Sequence, residues 1–386
     1  MHLTVDSLVR VSLFAIYFGA CASQPPVTPS PAQAGAVPAP TVTPWPEASS
    51  RFRAPGSSWL GADSAYSVDL GDRVLWLFGD TFIDPARDGS RTNGPNLFLR
   101  NTVALQSGSY DLSRAELAFV TGPERDGVPT SYFADSSSDE WFWPLHGARL
   151  PDGELILFRL RVIKVDTGFG FRVAGWDAIA IDDPQAAASD YRPRTIARGS
   201  DPLLGASVLL DGEYLYAYAA KNRDDDHAIT LARFRLAALH GLPEGALDDP
   251  EWYTAGGYQL QSAGAQAAVL IADGQTEFSV HFERRLGSFL EVQMRGLFVS
   301  DPNTAIVVRS APRPEGPWSS ATAVWKPPAA AGADASKLLA YAAKAHPEQR
   351  GADLVLTYVV NDVAHPAPLD AVYYPEVLRL TFLRRH

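Results

Sequence analysis

Two aspartates, Asp63 and Asp80, flank a hairpin in the stretch GADSAYSVDLGDRVLWLFGDTF, residues 61–82. The strands of that hairpin are among the most apolar in the chain. A carboxylate beside such strands costs desolvation free energy unless it is paired or used. Two carboxyl groups so placed can divide acid and base work, as glycoside hydrolysis requires: one protonates the leaving oxygen, and the other activates water or attacks the sugar. Asp63 stands among Gly61, Ala62, Ser64 and Ala65, small residues that leave room for a ligand. Asp80 follows VLWLF with only Gly79 between, a position that suits a turn cap as well as a catalytic acid. Asp63 and Asp80 are therefore the candidate catalytic residues, with Glu140 and Glu283 as further acids on loops or strand ends.

A sugar ring presents C–H groups on its faces and hydroxyls at its edge, so its site needs flat apolar walls and hydrogen-bonding groups. Trp143 offers a stacking surface, and Asn101, His146, Lys344 and His346 offer polar contacts; these five are the candidate substrate-binding residues. The two histidines could instead hold a cation such as calcium, but two isolated histidines do not make a zinc ligand set, and no cofactor is expected. HExxH, P-loop and GxSxG patterns do not occur in the sequence.

The elements that must position these residues read as β-structure throughout. From Trp59 onward the apolar runs are short, β-rich and separated by turn residues. One unit recurs: a small-residue strand, a glycine turn, then a strongly apolar strand. Its instances are GADSAYSVDLGDRVLWLF, LHGARLPDGELILF, GASVLLDGEYLYAYA, AAVLIADGQTEFSVHF and AYAAKAHPEQRGADLVLTYV, with turns at Gly71, Gly153, Gly212, Gly274 and Gly351. Further strands such as GWDAIAID, HAITLARFRL and NTAIVVRSAP follow, giving about four per unit. Repeats of this kind predict an all-β, five-bladed β-propeller, in which the first strand of each blade lines a central channel and ligands sit at its mouth. The last strand, EVLRLTF, is expected to close the ring against the first blade.

The net charge of −11 over 386 residues argues against a nucleic-acid partner, and the chain reads as a monomer acting on a polysaccharide. Nine Trp, fourteen Tyr and eighteen Phe suit strands and sugar-stacking walls. The sole cysteine, Cys21, follows the apolar run VSLFAIYFGA, a signal-peptide pattern too short to span a bilayer. Gly19-Ala20-Cys21 resembles a bacterial lipobox, which makes Cys21 the expected lipidation site and the mature N-terminus. The Pro-, Ala- and Thr-rich stretch that follows cannot bury a core and reads as an extended tether. The expected organisation is a signal peptide over 1–20, a tether over 21–50 and the propeller over 51–386, exported and held by its lipid at the outer membrane or cell surface.

LWLFGDTF, NTVAL, FWPLHGA, GPWS, YAAKAHPE and LVLTYVVND resemble a bacterial family of five-bladed propellers long described as a domain of unknown function. That family is distantly similar to the arabinanase-type glycoside hydrolases of family forty-three. The resemblance runs from about Trp59 to Phe382. It implies an endo-D-arabinanase-like hydrolase acting on the D-arabinan of mycobacterial arabinogalactan or lipoarabinomannan, with Asp63 and Asp80 at the catalytic positions and a third acid nearby. The alternative reading is a non-catalytic propeller lipoprotein that binds a glycan or a protein.

Overall fold

The computed structural model describes residues 40–53, 57–91, 96–167, 170–223, 226–330, 332–351, 353–364 and 370–382. The expected signal peptide and Cys21 lie outside them. The described chain is mostly β-strand, with one four-residue α-helix, Pro46–Ser49. It forms no closed barrel. Its larger units are antiparallel meanders of four or five strands.

The first sheet runs Tyr66–Asp69, Val74–Phe78, Thr102–Ser107, Glu116–Val120, and the second Glu140–Arg149, Leu155–Lys164, Phe171–Ile181, Arg194–Gly199. The third runs Leu203–Asp211, Tyr214–Ala220, Ile229–Arg235, Glu251–Thr254, Gly257–Leu260. The fourth runs Phe278–Glu283, Ser288–Arg295, Ala305–Ala311, Thr322–Trp325. The fifth begins with Leu338–His346, Leu354–Asp362 and Pro375–Thr381. The first strands of successive sheets lie side by side, and apolar side chains fill the space between sheets. A smaller sheet of Trp59–Ala62, Thr81–Ile83 and Leu97–Leu99 stands beside the first.

Four of the expected glycine turns join the first and second strands of their sheets, at Gly71, Gly153, Gly212 and Gly351. The fourth repeat differs. Gly274 precedes the first strand of its sheet, and the turn falls at residues 284–287, with Gly287 at φ +62°. The run AAVLIA has the small, apolar character of an inner strand. In the fold, Ile271 makes only an isolated bridge to Ile229 of the third sheet, and TEFSVHF supplies the inner strand instead of the second one.

The N-terminal boundary also moves. Thr41–Pro44, within the stretch expected as tether, pairs antiparallel with Pro375–Thr381 and becomes the outermost strand of the fifth sheet. The strand EVLRLTF therefore closes on the N-terminal segment rather than on the strands of the first sheet. The physical reason is apolar surface: Trp45, Ala48 and Phe52 are buried, and the Trp45 N–H donates to Val377 O at 2.8 Å. β-branched residues at 41–43 suit the strand that leads into them.

Candidate active site

Asp63 sits in a sharp link between Trp59–Ala62 and the first inner strand. Ser64 and Ala65 adopt φ +64° and +53°, a left-handed region that costs free energy for residues with a Cβ. The bend is tied down by the Asp63 carbonyl, which accepts from Ala65 N–H at 2.9 Å and Gly79 N–H at 3.2 Å. Gly61 and Gly79 make the close packing possible. A Cβ on Gly61 would lie 2.2 Å from the Tyr373 carbonyl oxygen, and one on Gly79 would lie 2.3 Å from Asp63 Oδ1. Ala342 at φ +58° and Tyr373 at +66° are also left-handed, so four of the seven described non-glycine residues with positive φ lie next to this one carboxyl group. Strain held in this way is a mark of functional sites.

The Asp63 carboxyl is buried, and its Oδ2 accepts from the hydroxyls of Tyr341 at 3.0 Å and Tyr373 at 3.2 Å. Burial, then the charges of Asp80 and Glu277, push it well above the usual carboxylate range, against the pull of the two tyrosines. Asp63, Ser64, Trp143, Leu145, Glu277 and Tyr341 line a cavity of about 20 Å³, the room an ordered water needs. Glu277 just precedes the fourth inner strand. Its Oε1 accepts from Lys344 Nζ at 2.8 Å.

Asp80 is 1% exposed and stands behind Asp63, outside the cavity lining. Its Oδ1 accepts from the Trp143 indole N–H at 2.8 Å, with Arg100 Nη1 at 3.7 Å. The structure therefore brings Asp63, Asp80 and Trp143 together, and adds Glu277, which sequence reasoning missed. Its only signal was a place seven residues ahead of the true fourth turn, which begins at residue 284, as Asp63 stands seven ahead of the first turn, which begins at Leu70. The misplaced turn at Gly274 hid that correspondence. Glu283, by contrast, is held by Arg285 and His281 at the turn-bearing ends of the inner strands, and Glu140 opens the second inner strand, half-buried and outside the cavity lining.

Of the expected substrate contacts, Asn101, Lys344 and His346 are buried, whereas His146 is half-buried and lines a separate, larger cavity of about 930 Å³. Asn101 is fully buried: its amide donates to Phe133 O and Phe142 O, and its Oδ1 accepts from Phe133 N–H. His146 lies where the pairing of the second inner strand shifts, and it bridges two neighbours. Its Nε2–H donates to Ser67 O at 3.0 Å, and its Nδ1 accepts from Val208 N–H at 2.9 Å. Burial pushes its pKa down to about 4, so the ring is neutral. His346 is held between Ser67 Oγ and Thr357 Oγ1. Lys344 is 1% exposed, with three backbone or carboxylate acceptors. With their ring nitrogens so used, His146 and His346 do not fit a cation site. Among the described residues no group of three or more His, Cys, Asp or Glu side chains is placed to bind a metal.

Among solved structures, a Bacteroides ovatus protein described provisionally as a hydrolase superposes with a TM-score of 0.66 at 16% identity, over 88% of this chain and 90% of that one. That likeness shows the fold alone. An endo-arabinase from Bacteroides thetaiotaomicron scores 0.43 at 15% identity, over 87% of this chain and 98% of that one. An α-L-arabinofuranosidase from Lactobacillus brevis scores 0.46 at 13% identity, over 86% and 93%. These two lower scores are too weak to carry an argument. No curated protein matches the sequence. Residues 50–381 match the family described as a domain of unknown function, DUF5005, and the chain belongs to that family.

Proposed function

We propose that this protein is a glycoside hydrolase built on a five-bladed propeller, and that it cuts a polysaccharide, with the D-arabinan of mycobacterial cell walls as the favoured substrate. The observation that carries the reading is the cavity shared by Asp63 and Glu277. One carboxyl is buried beside two other acids, which raises its pKa against the pull of two tyrosine hydroxyls; the other is ion-paired with the Lys344 ammonium at 2.8 Å. An acid with a raised pKa beside a carboxyl paired to a cation suits general acid and general base catalysis.

In this reading the sugar docks at the cavity mouth against Trp143. Asp63 gives its proton to the glycosidic oxygen as the C–O bond breaks. A water in the cavity loses a proton to Glu277 and forms the new bond to the anomeric carbon. Asp63 ends as a carboxylate and Glu277 as an acid, and solvent exchange resets both. A water placed between the carboxyl groups gives products of inverted anomeric configuration. Asp80 raises the Asp63 carboxyl through its negative charge rather than by touching substrate. Cys21 carries the lipid that anchors the protein at the bacterial surface.

The test is product release from mycobacterial arabinogalactan compared with L-arabinan, xylan and pectin. Oligosaccharides from the D-arabinan alone are expected. Release from none of the four, together with saturable binding of one, would replace this reading with the non-catalytic glycan binder.

A further inference from the structure

Lys344 is one of the largest fully buried side chains in the protein, and a catalytic scheme built on Asp63 and Glu277 gives it no task. An ammonium has three N–H donors. All three are used: on Ser64 O at 2.7 Å, Glu277 Oε1 at 2.8 Å and Ala342 O at 3.2 Å. The group also lies 4.1 Å from the centroid of the Tyr66 ring, a cation–π contact. These partners come from the strained Asp63 link, the start of the fourth inner strand and the fifth inner strand. One side chain thus ties together the three chain segments that carry Asp63, Glu277 and Tyr341.

We propose that Lys344 is a positioning residue: it holds the Glu277 carboxyl through an ion pair on Oε1 and leaves Oε2, which no described hydrogen bond engages, to face the cavity. The titratable groups facing Glu277 are Asp63 from the link, Tyr66 from the first inner strand, and Tyr341 and Lys344 from the fifth. Lys344 is the only cation among them. Without it, an anionic Glu277 would stand beside Asp63 with no counter-charge, and such a buried carboxylate takes up a proton. The acid and base would then no longer differ in charge. Burial lowers the pKa of Lys344 itself while Glu277 opposes that fall, as expected of a tight pair.

The proposal rests on reading the cavity as a hydrolytic site, so its test has one readout that needs no turnover. In Lys344→Met, the ¹³C chemical shift of the Glu277 carboxyl at pH 7 is expected to move from the carboxylate to the carboxylic acid position. The acidic limb of the kcat/KM profile is expected to move up by at least about one pH unit, the scale of a close counter-charge, with KM nearly unchanged. A uniform loss of kcat with the limb and the carboxyl shift unmoved would mean that Lys344 is only structural, and would overturn the proposal. If Lys344→Met does not fold, the wild-type protein decides: a Glu277 carboxyl that is already protonated at pH 7 overturns it, and an ionised one beside a protonated Asp63 supports it. A protein that shows the carboxyl shifts expected here yet cleaves no glycan would contradict the hydrolase reading alone.

Discussion

At the scale of single residues, the site is a set of carboxyl groups separated by their surroundings. Asp63 is buried with two acids near it, so its folded form holds a proton more tightly than the unfolded chain does. The stability linked to that proton is full below about pH 4, near the ordinary carboxylate range, and is lost as pH rises through the raised value. Asp63→Asn keeps the volume and removes the titration. Its melting temperature is expected to equal that of the wild type near pH 4 and to exceed it increasingly toward pH 8, as read by thermal unfolding across that range. A wild-type advantage that grows with pH would contradict the raised pKa. The small neighbours of Asp63, Gly, Ala and Ser, mark it in the sequence as an acid with room beside it; in the structure it lines the small cavity, and Tyr341 and Tyr373, distant in sequence, bury its carboxyl. The burial of Asn101 was not legible in the sequence, since nothing local in NTVAL tells that its amide faces two backbone carbonyls from distant segments. The same holds for Lys344 and the histidines, whose partners lie largely on other sheets.

At the scale of elements, the inner strands do the positioning, and three of them do it by breaking their own regularity. The pairing shifts at Pro144/Gly147, Leu204/Ser207 and Tyr341/Lys344 in the second, third and fifth sheets. A shift of this kind turns side chains that would otherwise alternate. It aims His146 at two neighbouring strands, and it separates Tyr341, on Asp63, from Lys344, on Glu277. His146 is neutral with a pKa of about 4, against 6.5 when unperturbed. The unfolded chain therefore binds a proton first as pH falls, and the protein loses about 3 kcal/mol between pH 6.5 and 4 through this group. His146→Gln is expected to be less stable at pH 7 but flatter across that window, which urea unfolding at several pH values measures. An equally steep acid loss would place the sensitivity elsewhere. Hairpins with a glycine between a small-residue strand and an apolar strand are readable from sequence alone. The fourth is not, because a one-strand slip preserves the pattern, and only pairing distinguishes the two registers.

At the scale of the whole molecule, the N-terminal segment completes the last sheet, so the first and last described strands close on one another. Sequence reasoning starts the domain at residue 51 because the Pro-rich composition continues to Trp45-Pro46; it cannot weigh the surface waiting at Val377 and Arg379. Trp45 is 7% exposed, with the Arg379 guanidinium 3.9 Å from its ring centroid. Trp45→Ala is expected to cost about 3 kcal/mol or more, as large buried aromatics do, and a chain beginning at Arg51 to unfold at lower denaturant than one beginning at Pro40. Equal midpoints would show that the strand is only laid on the surface. The five sheets and the segment that closes the last of them bring Asp63 and Glu277 onto a shared cavity, where the proposed mechanism uses them as acid and base. The most direct measurement of that claim is turnover of D-arabinan by Asp63→Asn, Glu277→Gln and Asp80→Asn, with folding checked by circular dichroism. The account expects the first two each to lose at least about a hundredfold in kcat, and Asp80→Asn to lose less while shifting the basic limb of the profile downward. Wild-type rates in both Asp63→Asn and Glu277→Gln would contradict it.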